Sequence, residues 1–256
     1  MSGLGWEQWG KLPHSASDLP EGWGWKVTRP SGRGFDGDDV DYAAALRDGR
    51  VIPLEQRPGT PLRQRTHPWH KAAPFCSGGP YLPPVPALPF GLWIVTIVPG
   101  DADERGNRTW HQKIHRKVPA WWALGPHGRT AAAVVHRLGQ ATWQDVLALR
   151  RSYDKAWPVD ATDPAWYEAQ DLARKEDRAV LKDALIRHTE TALSQTARAH
   201  GKKIRDFSNE QKSACFSAVA LAISDIDPGL AHRLLGPIRI ALGDVYGYPV
   251  PTWADT

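Results

Sequence analysis

Cysteine is nearly absent from this chain: Cys76 and Cys215 are the only two among 256 residues. That excludes a disulfide-built small domain and leads to the expectation of a reducing compartment. Long apolar runs are missing too, since no stretch approaches the roughly eighteen consecutive residues that a membrane-spanning helix needs. The opening "MSGLGWEQWGKLPHS" lacks a basic start followed by an apolar run. A cytoplasmic or virion location is therefore expected, without a signal peptide and without a membrane partner. The short signatures of several chemistries are also lacking. There is no G-x-x-x-x-G-K-S/T phosphate loop, no G-x-S-x-G nucleophile elbow, and no G-x-G-x-x-G expected to follow a strand.

What the sequence has in excess is tryptophan, thirteen residues in all. Indole rings gather in cores and at the centres of interfaces. Trp6, Trp9, Trp23 and Trp25 fall where no regular core is evident and are expected to be interface anchors. Residues 1–104 hold 14 of the 23 glycines and 14 of the 22 prolines, which leaves little room for long periodic elements. One short helix is expected there, "VDYAAALRDG", capped by Asp39 and ended by Gly49. One strand is expected in "FGLWIVTIVPG" over 90–100. The organisation that results is an extended, loop-rich region over 1–104 and a helical domain over 105–256.

Beyond residue 105 the patterns turn helical. "TWHQKIHRKV" reads as a short helix stopped by Pro119, and "RTAAAVVHRLG" as another ending at Gly139. Thr142 with Asp145 forms a box-like start for "WQDVLALRRSYDKAW". From Pro164 to about residue 200 nothing breaks the run, which predicts one very long helix of roughly 55 Å at 1.5 Å per residue. Ser208 with Gln211 predicts a capping box for the next helix, with Phe207 as its staple, and Asp227 with Pro228 starts the last. The final two helices are apolar nearly all round and should form a buried C-terminal hairpin, with Cys215 as an inert core thiol. The tail "YGYPVPTWADT" reads as an extended arm. The fold class expected is mainly α, α+β at most, with little β in the N-terminal part.

Charge is distributed unevenly. Residues 105–155 carry ten Lys and Arg against two Asp and Glu, a net of +8, while the stretches on either side are each −2. Trp110, Trp121, Trp122 and Trp143 lie in the same segment. Cations interleaved with aromatic rings are what single-stranded nucleic acid binding uses, the cations meeting phosphates and the rings stacking on bases. Lys113, Arg116, Lys117, Arg129, Arg137, Arg150 and Arg151 are the residues such a surface would use. Pairing of these cations with acidic flanks explains the same pattern without a ligand.

Histidine and cysteine raise the question of zinc. His67, His70 and Cys76 are spaced H-x2-H-x5-C, which fits no zinc-finger spacing, and His111 and His115 would share a helix face. Position 112 is Gln where a metallopeptidase helix needs its general-base Glu, so that reading fails on its catalytic residue. A mixed zinc site from His67, His70, Cys76, His111 and His115 stays open; no other cofactor is indicated. The run "FDGDDVDY" lacks the spacing and the bidentate Glu of a calcium loop. Two halves of such different texture lead to the expectation of a non-catalytic structural protein in a large oligomer, such as a phage head, connector or tail component. Its partners would be copies of itself or other assembly subunits. A nucleic-acid-binding protein is the second reading and a zinc-dependent enzyme or zinc-stabilised domain the third.

Overall fold

The computed structural model describes residues 23–33, 41–47, 51–53, 73–74, 89–97, 111–125, 127–157, 164–176, 178–205 and 208–255. These residues are mostly helical, and their contacts divide them into two units, one holding the residues up to Val118 except Pro89, the other holding Pro89 and the residues from Pro119 onward.

The first unit is built on an antiparallel sheet. Its strands are β1 (Trp23–Thr28), β2 (Val51–Pro53), β3 (Ala73–Pro74), β4 (Gly91–Ile97) and β5 (His111–Val118), in the spatial order β2-β5-β4-β1-β3. The expected strand over 90–100 is thus β4, but it belongs to a sheet of five. "WGWKVT" makes β1 because Trp, Val and Thr fit a pleated surface, and six residue pairs join it to β4. Helix α1 (Tyr42–Arg47) packs against β5. Its cap is Asp41, whose carboxylate accepts from the Ala44 N–H at 2.9 Å; Asp39, the expected cap, lies outside the described residues. Residues 32–37 read G-x-G-x-x-G and do follow a strand, contrary to expectation. Both neighbours of β1 are antiparallel, however, so the parallel β-α-β setting of a dinucleotide-binding loop is lacking there.

Residues 111–118 are a strand and not the expected helix. Ile114 and Val118 are four apart, a spacing that suits a helix and a strand alike, and edge-to-edge pairing with β4 decides the matter. The pairing carries a register shift: Ile94 faces Arg116 while Val95 faces Ile114, leaving His115 as the extra residue. Inside this unit Tyr42, Phe90, Leu92, Trp93 and Thr28 are buried, and the Trp93 indole N–H donates to Thr28 Oγ1 at 2.8 Å.

The second unit is a helical bundle. A 3₁₀ turn at Ala120–Leu124 leads to α2 (Gly128–Gly139), α3 (Trp143–Ala156), α4 (Pro164–Lys175), α5 (Ala179–Ala199), α6 (Asn209–Ile223), α7 (Pro228–Leu234), α8 (Gly236–Leu242) and α9 (Thr252–Asp255). Helix α6 lies against α3, α4, α5 and α7, which is why its sequence is apolar on nearly every side. The capping box of α3 is present, Thr142 Oγ1 accepting from the Asp145 N–H and Asp145 accepting from the Thr142 N–H. At α6 the box is missing. Ser208 makes no cap bond, and Gln211 instead donates to Glu190 of α5 at 2.8 Å.

The long run from Pro164 is two helices. Helix α4 buries Ala165, Ala169 and Ala173, and the next position of that stripe falls at 176–177, where the sequence has Glu176 and Asp177. A straight continuation would carry a carboxylate into the bundle at a cost of several kcal/mol. The ladder breaks instead: the Arg178 N–H donates to Ala173 O at 2.7 Å, and the Arg178 guanidinium reaches Asp225 at 2.8 Å. The C-terminal elements also differ from expectation. Helices α7 and α8 are seven residues each, with His232, Arg233 and Ile240 exposed, so the second arm of the hairpin is not apolar all round. The tail is no free arm among the described residues, since Val245, Pro251 and Ala254 are buried and Asp255 pairs with Arg129 at 3.1 Å.

Candidate functional site

The residues singled out in the sequence scatter over the fold. Trp6, Trp9, His67, His70 and Cys76 lie outside the described residues. Trp23 and Trp25 are strand positions of β1, paired with Thr96 and Ile94 of β4. His111 and His115 are on β5, so the helix face they were expected to share does not form. Among the described residues no three His, Cys, Asp or Glu side chains come together as metal ligands.

The basic set splits between the two units. Lys113, Arg116 and Lys117 are on β5, while Arg129, Arg137, Arg150 and Arg151 are in the bundle. Two of the latter are tied to carboxylates: Arg129 to Asp255, and Arg137 to Asp145 at 3.1 Å. Burial works against the Asp145 carboxylate, but the Thr142 N–H and Arg137 outweigh it and hold its pKa below the ordinary value. Arg150 and Arg151 stand exposed on α3.

The bundle's own polar interior is structural in character. Cys215 donates to Glu190 at 3.4 Å, and burial together with that carboxylate pushes its thiol far up, the opposite of what a nucleophile needs. His188 is 4% exposed, and its Nε2 finds no partner among the described residues. Burial first, then the charge of Arg187, lowers its pKa to about 4. A histidine held neutral in this way stabilises the fold fully above its ordinary value and loses that contribution as the pH falls toward 4. The free energy of unfolding should therefore drop on acidification, by about 2 kcal/mol at pH 5, and His188→Gln should flatten this part of the profile. An unchanged slope in His188→Gln would assign the acid sensitivity to other groups.

No protein family, curated protein or solved structure matches this chain. Its function has to be read from its own surface.

Three large hydrophobic side chains stand exposed among the described residues, and two of them are close in sequence. Ile240 on α8 is 54% exposed and Tyr246, six positions on in the turn that follows it, 55%; Tyr167 of α4 is 55% exposed as well. The segment carrying Ile240 and Tyr246 is nevertheless anchored. Pro237 and Ile238 are buried on one side of it and Val245 on the other, with α8 packed on α3. Asp244 caps the next turn by accepting from the Tyr246 N–H. The Tyr248 hydroxyl donates to Gly243 O at 3.1 Å. Burial pushes that phenol up to about 12, against the charge of Arg137 and with help from Asp244 and Asp145. Large apolar side chains held outward on an ordered segment suit contact with another macromolecule better than chemistry. The sequence does not single them out, because apolar residues crowd "PIRIALGDVYGY" and packing on α2 and α3 decides which of them are covered.

Proposed function

We propose that the chain is a non-catalytic structural subunit of an oligomeric assembly, with a virion head, connector or tail component as its concrete form. The segment around Ile240 and Tyr246 would be one contact with a second copy. The observation that carries this is the exposure of both side chains on an anchored segment. Each side chain is already about half covered, so removing the rest of its apolar surface from water contributes about 1 kcal/mol apiece. The tryptophans at 6, 9, 23 and 25 serve the same reading as further anchors.

Light scattering on the full-length chain tests it. A mass of several subunits is expected at salt high enough to release any bound nucleic acid, and unchanged by further salt. Ile240→Asp together with Tyr246→Ser should lower that mass by at least twofold while helical circular dichroism stays the same. A chain that is monomeric at every concentration, or a double variant that assembles as before, would sink the proposal.

A further inference from the structure

The bundle carries a group of exposed basic side chains with no acid among them, at a place the proposed assembly contact does not use. Arg198, His200, Lys202, Lys203 and Arg205 fall within eight residues at the end of α5, and all five are exposed. Between Glu190 and Glu210 the sequence has a single acidic residue, Asp206. Among the described residues no ion pair joins Arg198, Lys202, Lys203 or Arg205, in contrast to Arg129 and Arg137.

The backbone that carries these side chains is fixed. Gly201 takes φ +64°, the Lys202 N–H donates to Ala197 O at 2.8 Å, and the Gly201 N–H donates to Arg198 O at 2.9 Å. This pair of bonds is the Schellman closure of a helix, and it turns the chain sharply so that Lys202 and Lys203 leave the helix axis. The loop also stands beside the end of α2, since Thr196 Oγ1 donates to Leu138 O at 2.6 Å.

A local account of the cations is that they offset the negative ends of these helices. Each helix end is equivalent to roughly half a negative charge, so α5 and α2 together supply about −1 against the four positive charges of Arg198, Lys202, Lys203 and Arg205. Arg137 at the end of α2 is already neutralised by Asp145. Most of the positive charge is therefore left to face outward.

We infer that the 198–205 loop is a contact surface for the phosphate backbone of a nucleic acid. Four fixed cations in eight residues suit a polymer of dense, regular negative charge, and the closed helix end has already ordered the backbone they stand on. A lipid surface fits poorly. Apart from the half-buried Ile204, the loop offers no apolar side chain to insert. The contact is to backbone and reads no sequence.

The experiment is fluorescence anisotropy of the full chain with labelled oligothymidylate and with a random duplex, from roughly 50 to 200 mM salt. The logarithm of affinity is expected to fall with the logarithm of salt concentration with a slope of about −0.7 per phosphate contacted on single strands and about −0.9 on duplex. Lys202→Gln with Lys203→Gln should lower the slope on oligothymidylate by about 1.4 and the affinity by about tenfold. Arg150→Gln with Arg151→Gln should change it less than about twofold. Both pairs are exposed, so circular dichroism and melting should match the parent. The inference is overturned by an absence of binding or by unchanged affinity in the Lys202, Lys203 variant. Loss of binding in the Arg150, Arg151 variant instead overturns it as well, as does tighter binding to polyglutamate or to phosphatidylglycerol vesicles than to the oligonucleotide.

Discussion

Gly128→Ala is expected to unfold the helical bundle at denaturant concentrations where the parent is intact, at a loss of about 3 kcal/mol or more. Gly128 opens α2 with its N–H bonded to Gly125 O, and the Trp121 carbonyl of the preceding 3₁₀ turn lies directly against its Cα. A Cβ built there falls on Trp121 O, far inside van der Waals contact, and the obstacle is backbone that cannot rotate away. Relief requires moving the 3₁₀ turn or the first turn of α2, both of which hold buried residues, Leu124 and Ala131 among them. Gly236→Ala is the matched control. A Cβ at Gly236 meets nothing within 4 Å and its φ is not positive, so stability should rise by about 0.4–1 kcal/mol. A Gly128→Ala protein as stable as the parent would mean that the turn and α2 are not packed as described.

Phe216→Ala should cost about 3–5 kcal/mol, the range for a large aromatic lost from a core. Phe216 joins three helices. Its ring stacks on Trp166 of α4 at 4.7 Å and 10°, and it meets Tyr153 of α3 and Trp157, the residue that ends α3, edge-on at 5.5 and 5.7 Å. Few van der Waals partners can close over the space it would leave, because its neighbours are themselves rigid rings. A fall in melting temperature of about 10 °C follows for a unit of this size, with a change in the near-ultraviolet dichroism as two tryptophans lose their neighbour. Phe216→Leu should retain more than half of the difference. A loss under about 1 kcal/mol for the alanine variant would show that the aromatic cluster does not hold α3, α4 and α6 together.

The parts of the fold legible in the sequence were those whose cause is local. Thr142 with Asp145, and Asp227 with Pro228, start helices through bonds within three residues, and both starts are found. Where the cause is distant the sequence misleads. "HQKIHRKV" becomes a strand only because β4 and β2 lie on either side of it, and "WGWKVT" has neighbours as far away as Thr96. Glu176 and Asp177 held the information about the broken helix. It could be used only once Ala165, Ala169 and Ala173 were known to be the buried stripe.

The surface was harder to read. Summing charge over long stretches made residues 105–155 the basic segment and hid "RAHGKKIR", because acids on both sides of it, Asp160, Asp163, Glu176 and Asp177 before and Asp225, Asp227, Asp244 and Asp255 after, offset it in the total. In the fold Arg129 and Arg137 acquire partners, whereas among the described residues no ion pair joins Arg198, Lys202, Lys203 or Arg205. The sign that was available locally is the glycine that ends α5 with two lysines immediately after it.

Alanine is the commonest side chain in the interior of the bundle, in "AAA" of α2, in the stripe of α4 and through most of α6. An alanine has no rotamer to lose, whereas each buried leucine gives up about 0.5–1 kcal/mol of conformational entropy at room temperature. The bundle thus orders its interior cheaply and also gains less apolar area per residue. Smaller hydrophobic burial means a smaller heat-capacity increment on unfolding, and so a flatter dependence of stability on temperature. The cold side of that curve is protected together with the warm side, a property set by the smallness of the residues along the seams of α2, α4 and α6.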